Sequence, residues 1–313
     1  MGLTSQSAKR PGTGRRRRPA RSLGPLPWIG PALLLIFAVV LWPAVEMVRT
    51  SFSEIALTGM VRGPAGLDNY RTLLAEPELV PVVLRTVVWV AGIVFFTVVL
   101  GLLLAQLLQQ HFPGRRVVRW LILLPWAASV VMTAIVWRWM LDYFYGLVNG
   151  LLTRPLPLIG PVLDGPVDWL GQASTALPWM MWVAVFVSLP FTIYVIIAGL
   201  SAIPQEVYEA ARMDGASAWQ AYVGITLPML RPSILIATVI NIINVFNSFP
   251  IIWVMTGGGP ASATDTTTTF MYKLAFVRND VGASAAMAVV NFLLVLVVVL
   301  VYLRIVRKRG MEV

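Results

Sequence analysis

The chain has 313 residues, of which 58% are hydrophobic and only 12% charged, and its mean hydropathy is +0.78. Soluble domains carry roughly a quarter charged residues, so an ordinary soluble globule is excluded and membrane spans are indicated. The lack of cysteine excludes disulfides, thiolate nucleophiles and cysteine-held metals, and a net charge of +10 in so apolar a chain points to membrane orientation rather than to nucleic acid.

Residues 1–25 contain the run Arg15 to Arg18 and few large apolar side chains, which predicts a disordered basic cytosolic tail. Nothing around it reads as a DNA-binding fold, so no nucleic-acid partner is expected. The first apolar run is Trp28 to Val48, 21 residues, about the 30 Å of a bilayer core when helical. It is too long for a signal-peptide core and ends without a small-residue cleavage site. Five further spans follow, at Val87–Leu108, Trp120–Leu141, Ala176–Leu200, Ile234–Thr256 and Ala285–Leu303. Pro190 and Pro250 are expected to kink two of them.

Six spans put both termini on one side. The segments on that side hold seven (1–25), three (111–119), two (201–231) and four (304–313) Lys or Arg residues, 16 of the 24, but only 4 of the 14 acids. By the positive-inside rule both termini are cytosolic. The outer connections are longer. In 49–86 the stretch GLDNY, Gly66 to Tyr70, places Asp68 to cap a short helix carrying Tyr70, Leu73 and Leu74. The connection 257–283 opens with GGGP and continues into SATDTTTT.

Several chemistries are missing. No P-loop occurs, since none of the three lysines (Lys9, Lys273, Lys308) follows a glycine. One histidine, His111, and no cysteine leave no usual zinc site. An ion-coupled carrier usually buries a carboxylate or unwinds a helix at midplane. The best candidates, Glu46 and Asp142, sit near span ends, and Asp142 is spaced to pair with Arg138 at i,i+4.

The cytosolic connection 201–231 is the most patterned stretch. Pro204 and Glu206 suit a helix start, giving a helix from Pro204 to Met213. Gly215 occupies the position of a left-handed stop. Ser217 can cap a second helix, Ala218 to Thr226, that ends before Pro228. Ala210 and Ala211 form a thin face beside the charges of Glu209 and Arg212. On these grounds alone the elbow is either a docking element or a solvated loop.

The spacing carries a resemblance. Glu209-Ala210-Ala211, three residues, Gly215, nine residues, Ile225, one residue and Leu227-Pro228 reproduce the EAA signature of bacterial ATP-binding-cassette importer permeases. GLDNY, the LLPW of Leu123 to Trp126, the LPFTIYVIIAGLSAIP of Leu189 to Pro204 and the IWVMTGGGPASATDT of Ile252 to Thr266 resemble the carbohydrate-uptake branch, the maltose and glycerol-phosphate type. The resemblance covers most of the chain after residue 26. It implies an all-α polytopic protein with six transmembrane helices in the type I importer permease fold, spanning 26–313, and the 204–228 elbow as the coupling helix that fits a cleft in a separate ATPase. It also implies polar contacts by Glu209 and Arg212 at that cleft and a turn at Gly215. The partners it implies are a second homologous permease, most like the second of a pair in which this chain is the first, an ATPase dimer and an extracytoplasmic solute-binding protein, in the lipid bilayer of the bacterial cytoplasmic membrane. No cofactor is expected in this chain, which is not itself an enzyme; ATP and Mg belong to the ATPase.

In the fifth span Asn241, Asn244 and Ser248 fall on one helical face, with Asn247 at its border. Uncharged amides offer donors and acceptors to sugar hydroxyls. They serve equally for hydrogen bonds between helices. With the resemblance, lining of a solute pathway is the favoured role for at least one of them, and a sugar or polyol-like solute is the favoured cargo. Phe246, Phe249 and Trp253 either stack on sugar rings or pack. The rival readings are a permease of the same superfamily for another solute, such as a phosphate ester, polyamine or peptide, and a self-sufficient carrier or channel.

Overall fold

The computed structural model describes residues 26–56, 59–154 and 162–308, so the 1–25 tail lies outside it. The described residues fall into two compact units, divided between Glu46 and Met47. In the first, α1 (Leu26–Ile36) leads through a π-helical turn (Phe37–Leu41) into α2 (Trp42–Ser51). The stretch Trp28–Ser51 is long and apolar enough to cross a membrane. The π turn has a local cause. Proline has no N–H to give the carbonyl four residues back, and its ring collides with that carbonyl. Pro43 follows the turn directly, and the Trp42 N–H reaches five residues back to Phe37 O. A wider turn makes room for the ring.

The second unit begins within α2, at Met47, and continues into a two-stranded antiparallel ribbon, β1 (Ser53–Ile55) and β2 (Val61–Pro64), the one departure from an all-α fold among the described residues. α3 (Asp68–Ala75) follows. Its N-cap is Leu67, not Asp68, whose carboxylate instead accepts from Arg71 at 2.9 Å. Asn69 donates to Ser51 O and Ser53 O, and the Tyr70 hydroxyl lies 2.8 Å from Ser51 Oγ. The GLDNY stretch therefore pins α3 to the base of the ribbon.

The long helices are α4 (Leu79–Gln109), α5 (Arg115–Ala127), α6 (Val130–Met140), the short α7 (Leu147–Leu152) and α8 (Ala173–Ser201). The third expected span is thus two helices, separated at Ala128–Ser129. Asp142 does not pair with Arg138. Its carboxylate caps the following turn by accepting from Phe144 N and Tyr145 N, and Arg138 donates to Val254 O. α8 runs through Pro190 without interruption.

Beyond the elbow, α9 (Gln205–Met213) and α10 (Ala218–Ala221), a second π turn (Tyr222–Thr226) leads into α11 (Leu227–Phe246). Here the expectation of a helix ending before Pro228 is corrected. As at Pro43, the helix widens just before the proline, with Leu227 N–H bonded to Tyr222 O, and continues. The result is one helix, Ala218–Phe246, of 29 residues. It stops at Asn247–Ser248, and α12 (Phe249–Met255) starts with Pro250 in its first turn. α13 (Thr267–Phe276) and α14 (Val281–Lys308) complete the unit. Among the described residues five helical stretches are long and apolar enough to span a membrane, with Val130–Met140 as a shorter apolar one.

α4 packs along α8, and both pack against α11. Small residues allow such approach between membrane helices; a Cβ on Gly101 of α4 would lie 2.7 Å from Thr192 Cγ2 of α8. Three apolar clusters follow the bundle from end to end. Leu73, Phe270 and Met287 lie at one end, Trp89, Met180 and Ile252 in the middle, and Leu108, Ile196 and Leu230 beside the elbow.

One feature was not expected from sequence. Asp265, ahead of α13, is completely buried, and its Oδ2 takes a 2.6 Å bond from Lys273 Nζ. A buried carboxylate is therefore present, but it is salt-bridged.

Candidate functional site

Two places combine the residues singled out above. The first is a cavity of about 580 Å³ lined by α8, by α11 and by both helix breaks. Ala128 comes from the break between α5 and α6, and Asn247 and Ser248 from the break between α11 and α12. Asn241 and Asn244 line it too, so all four predicted polar residues share one wall. None of the lining side chains carries a formal charge.

The four differ in how far they are committed. Asn241 is buried and donates to Thr192 Oγ1 at 2.7 Å and Ala237 O at 2.8 Å, which ties α11 to α8. Asn247 donates to Ile243 O at 2.9 Å. Ser248 donates to Val245 O and accepts a 2.8 Å bond from the Trp89 indole. Asn244 is exposed to the cavity, and its amide makes no hydrogen bond among the described residues.

Trp89 is a residue that sequence reasoning passed over. A helix that stops inside a membrane leaves carbonyls without partners. The Trp89 N–H lies 3.2 Å from Val245 O and 2.8 Å from Ser248 Oγ, and so satisfies the end of α11. The available signal was its depth: a tryptophan ten residues into α4 is away from the interface where tryptophans gather. The aromatic residues named with the fifth span divide. Phe246 is buried in the core, and Phe249 stacks on Trp253 at 5.5 Å between centroids rather than facing the cavity.

The second place is the elbow. α9 has Glu206 in its first turn and Arg212 in its last, both matching the helix dipole. Its C-terminus is a Schellman motif: Ala216 N–H bonds Ala211 O at 2.9 Å, Gly215 N–H bonds Arg212 O at 3.1 Å, and Gly215 has φ of +77°. Two residues on, Ser217 opens α10 with a capping box, its Oγ accepting from Gln220 N and its N–H given to Gln220 Oε1 at 2.8 Å. The Tyr208 hydroxyl lies 3.0 Å from Thr226 Oγ1 and joins the two arms.

Glu209, Ala210, Arg212 and Gly215 are exposed together, while Ala211 is buried and Ile225, Leu227 and Pro228 are half-buried. The first group forms a surface and the second anchors it. Met213 and Trp219, 88% and 71% exposed, stand on either side of Gly215. They lie in the unspecified gaps of the signature, which is why the spacing did not single them out. Exposed large apolar side chains beside the charges of Glu209 and Arg212 are what protein contacts are built around.

The family model described as binding-protein-dependent transport system inner membrane component matches residues 97–310. A probable ABC transporter permease protein of Brucella suis biovar 1 is 42% identical over 275 residues, 88% of this chain and 93% of the relative. The trehalose/maltose transport system permease protein of Thermococcus litoralis is 36% identical over 244 residues, 78% of this chain and 80% of the relative. Among solved structures, a bacterial ABC transporter involved in the import of the acidic polysaccharide alginate aligns with a TM-score of 0.79 at 21% identity, covering 91% of this chain and 95% of that one. With an all-helical membrane body and the signature folded as a capped elbow, the chain belongs to the inner membrane components of binding-protein-dependent transport systems, the permease subunits of ATP-binding-cassette transporters.

Proposed function

We propose that this permease moves a sugar or polyol-like solute inward, driven by a separate ATPase that docks on the 204–228 elbow. The observation that carries the cargo is the uncharged amide wall of the cavity, with Asn244 unengaged and open to it. Neutral hydroxyls find both donor and acceptor in an amide. The trehalose/maltose transport system permease among its relatives supports a carbohydrate. A charged cargo, the alternative within the superfamily, finds no counter-ion among the lining residues.

Glu209, Arg212, Met213 and Trp219 form the contact for the ATPase, which holds ATP and Mg; this chain hydrolyses nothing. A second homologous permease and an extracytoplasmic solute-binding protein complete the machine, in the cytoplasmic membrane with both termini in the cytosol. The family's dependence on binding proteins supports that composition. The test is uptake of labelled sugars by cells expressing this permease with the other subunits. Uptake abolished by omitting the ATPase supports the reading, and uptake by this chain alone refutes it.

A further inference from the structure

A second cavity, about 640 Å³, lies between the C-terminal end of α4 and the elbow. Its chemistry differs from that of the first. Gln106 and Gln109 come from α4, Tyr208 and Arg212 from α9, and Tyr222 and Thr226 from the π turn. Gln109 and Arg212 are exposed at its mouth. Deeper in, Gln106 Nε2 is enclosed and has no hydrogen-bond partner among the described residues. A buried amide without a partner is costly, so the Gln106 N–H is available to an acceptor that enters the cavity.

Three features converge on a ligand of one kind. Arg212 is the only charged lining residue and no carboxylate faces it, so the cavity favours one anionic group. The other polar groups on the wall, Gln106, Gln109, Gln110, Tyr208, Tyr222 and Thr226, are uncharged and suit hydroxyls, and Leu200 with three alanines supplies an apolar side. The π turn, which Pro228 imposes, places Tyr222 and Thr226 on one side. We propose that this cavity binds a phosphorylated sugar from the cytosolic side. The phosphate lies against Arg212, and a sugar hydroxyl takes the Gln106 N–H. A ligand so placed braces the elbow against α4 and withdraws Arg212 from the docking surface, so it acts as a brake on coupling. This rests on the reading that the elbow receives the ATPase.

The experiment uses the full permease assembled with its partners in nanodiscs of zwitterionic lipid, so that no anionic headgroup competes. Solute-stimulated ATP hydrolysis is measured with millimolar glucose 6-phosphate, glucose or inorganic phosphate, and binding of each is followed by calorimetry. Glucose 6-phosphate should bind and lower stimulated hydrolysis about fivefold, the low end of ordinary coupling between sites. Glucose should have little effect. Gln106→Leu should hydrolyse normally without the effector but lose both its binding and its inhibition. No binding to the wild type, equal inhibition of the variant, or equal potency of glucose or inorganic phosphate would each overturn the proposal. Absence of solute-stimulated hydrolysis before any effector is added would instead overturn the permease reading, and calorimetry would still judge the cavity.

Discussion

Gly215→Val puts a β-branched side chain on a residue whose φ is +77°. The ideal Cβ at this position meets no atom within 4 Å, so nothing in the chain resists the side chain itself. The whole penalty is therefore the left-handed backbone, about 1–2 kcal/mol, which shifts the elbow away from its native turn by a factor of roughly 5–30. The Schellman bonds from Gly215 and Ala216 go with the turn, and Glu209 and Arg212 lose their fixed relation to α10. The apolar clusters of the bundle are untouched. Purified Gly215→Val permease should melt like the wild type, yet bring down less ATPase and show weakened solute-stimulated hydrolysis in reconstituted membranes. Gly215→Asn should keep most of both, because asparagine tolerates the left-handed region. If the valine variant co-purifies and couples as well as the asparagine variant, the claim that this turn organises a docking surface fails.

Asn244→Leu should abolish or sharply reduce uptake without lowering the melting temperature, whereas Asn241→Leu should destabilise the bundle by about 0.6–1.7 kcal/mol, the range for hydrogen bonds between membrane helices; thermal denaturation beside transport separates the two. Lys273→Met leaves the fully buried Asp265 carboxylate without its partner, at a cost of about 3–5 kcal/mol. Adding Asp265→Asn should restore much of the loss in detergent stability. Cysteines placed at Ser5 and Val313 of this cysteine-free chain should resist a membrane-impermeant thiol reagent in intact cells, and one at Ser262 should label. Labelling at both termini from outside would invert the orientation.

Hydropathy made the spans legible because each is a long unbroken apolar run. The elbow was legible because caps are local: Ser217 with Gln220, and Gly215 after Met213, declare themselves within a few residues. What sequence obscured was set by distant contacts. The break at Asn247 depends on the indole of Trp89, 156 residues away from Val245. The break at Ala128–Ser129 lies within a run that reads as one span. The continuity through Pro228 failed a sound local rule, since proline ends most helices, and only the wider turn before it evades that rule. Asn241 and Asn244 look alike on a helical wheel, and it is the neighbouring Thr192 on α8 that makes one a strut between helices and leaves the other free.

That unbroken helix from Ala218 to Phe246 makes the elbow's second arm and the cavity wall a single crank. From Ala218 to Asn244 it measures about 39 Å at roughly 1.5 Å per residue, so a tilt of about 5° pivoting at the elbow swings the far end by about 3 Å. That displacement equals the length of one hydrogen bond, enough to offer or withdraw the Asn244 amide without unfolding anything. By admitting the Pro228 ring without ending the helix, the π turn keeps both arms in one element, and Pro232, a turn further on, is the next point at which that element can bend.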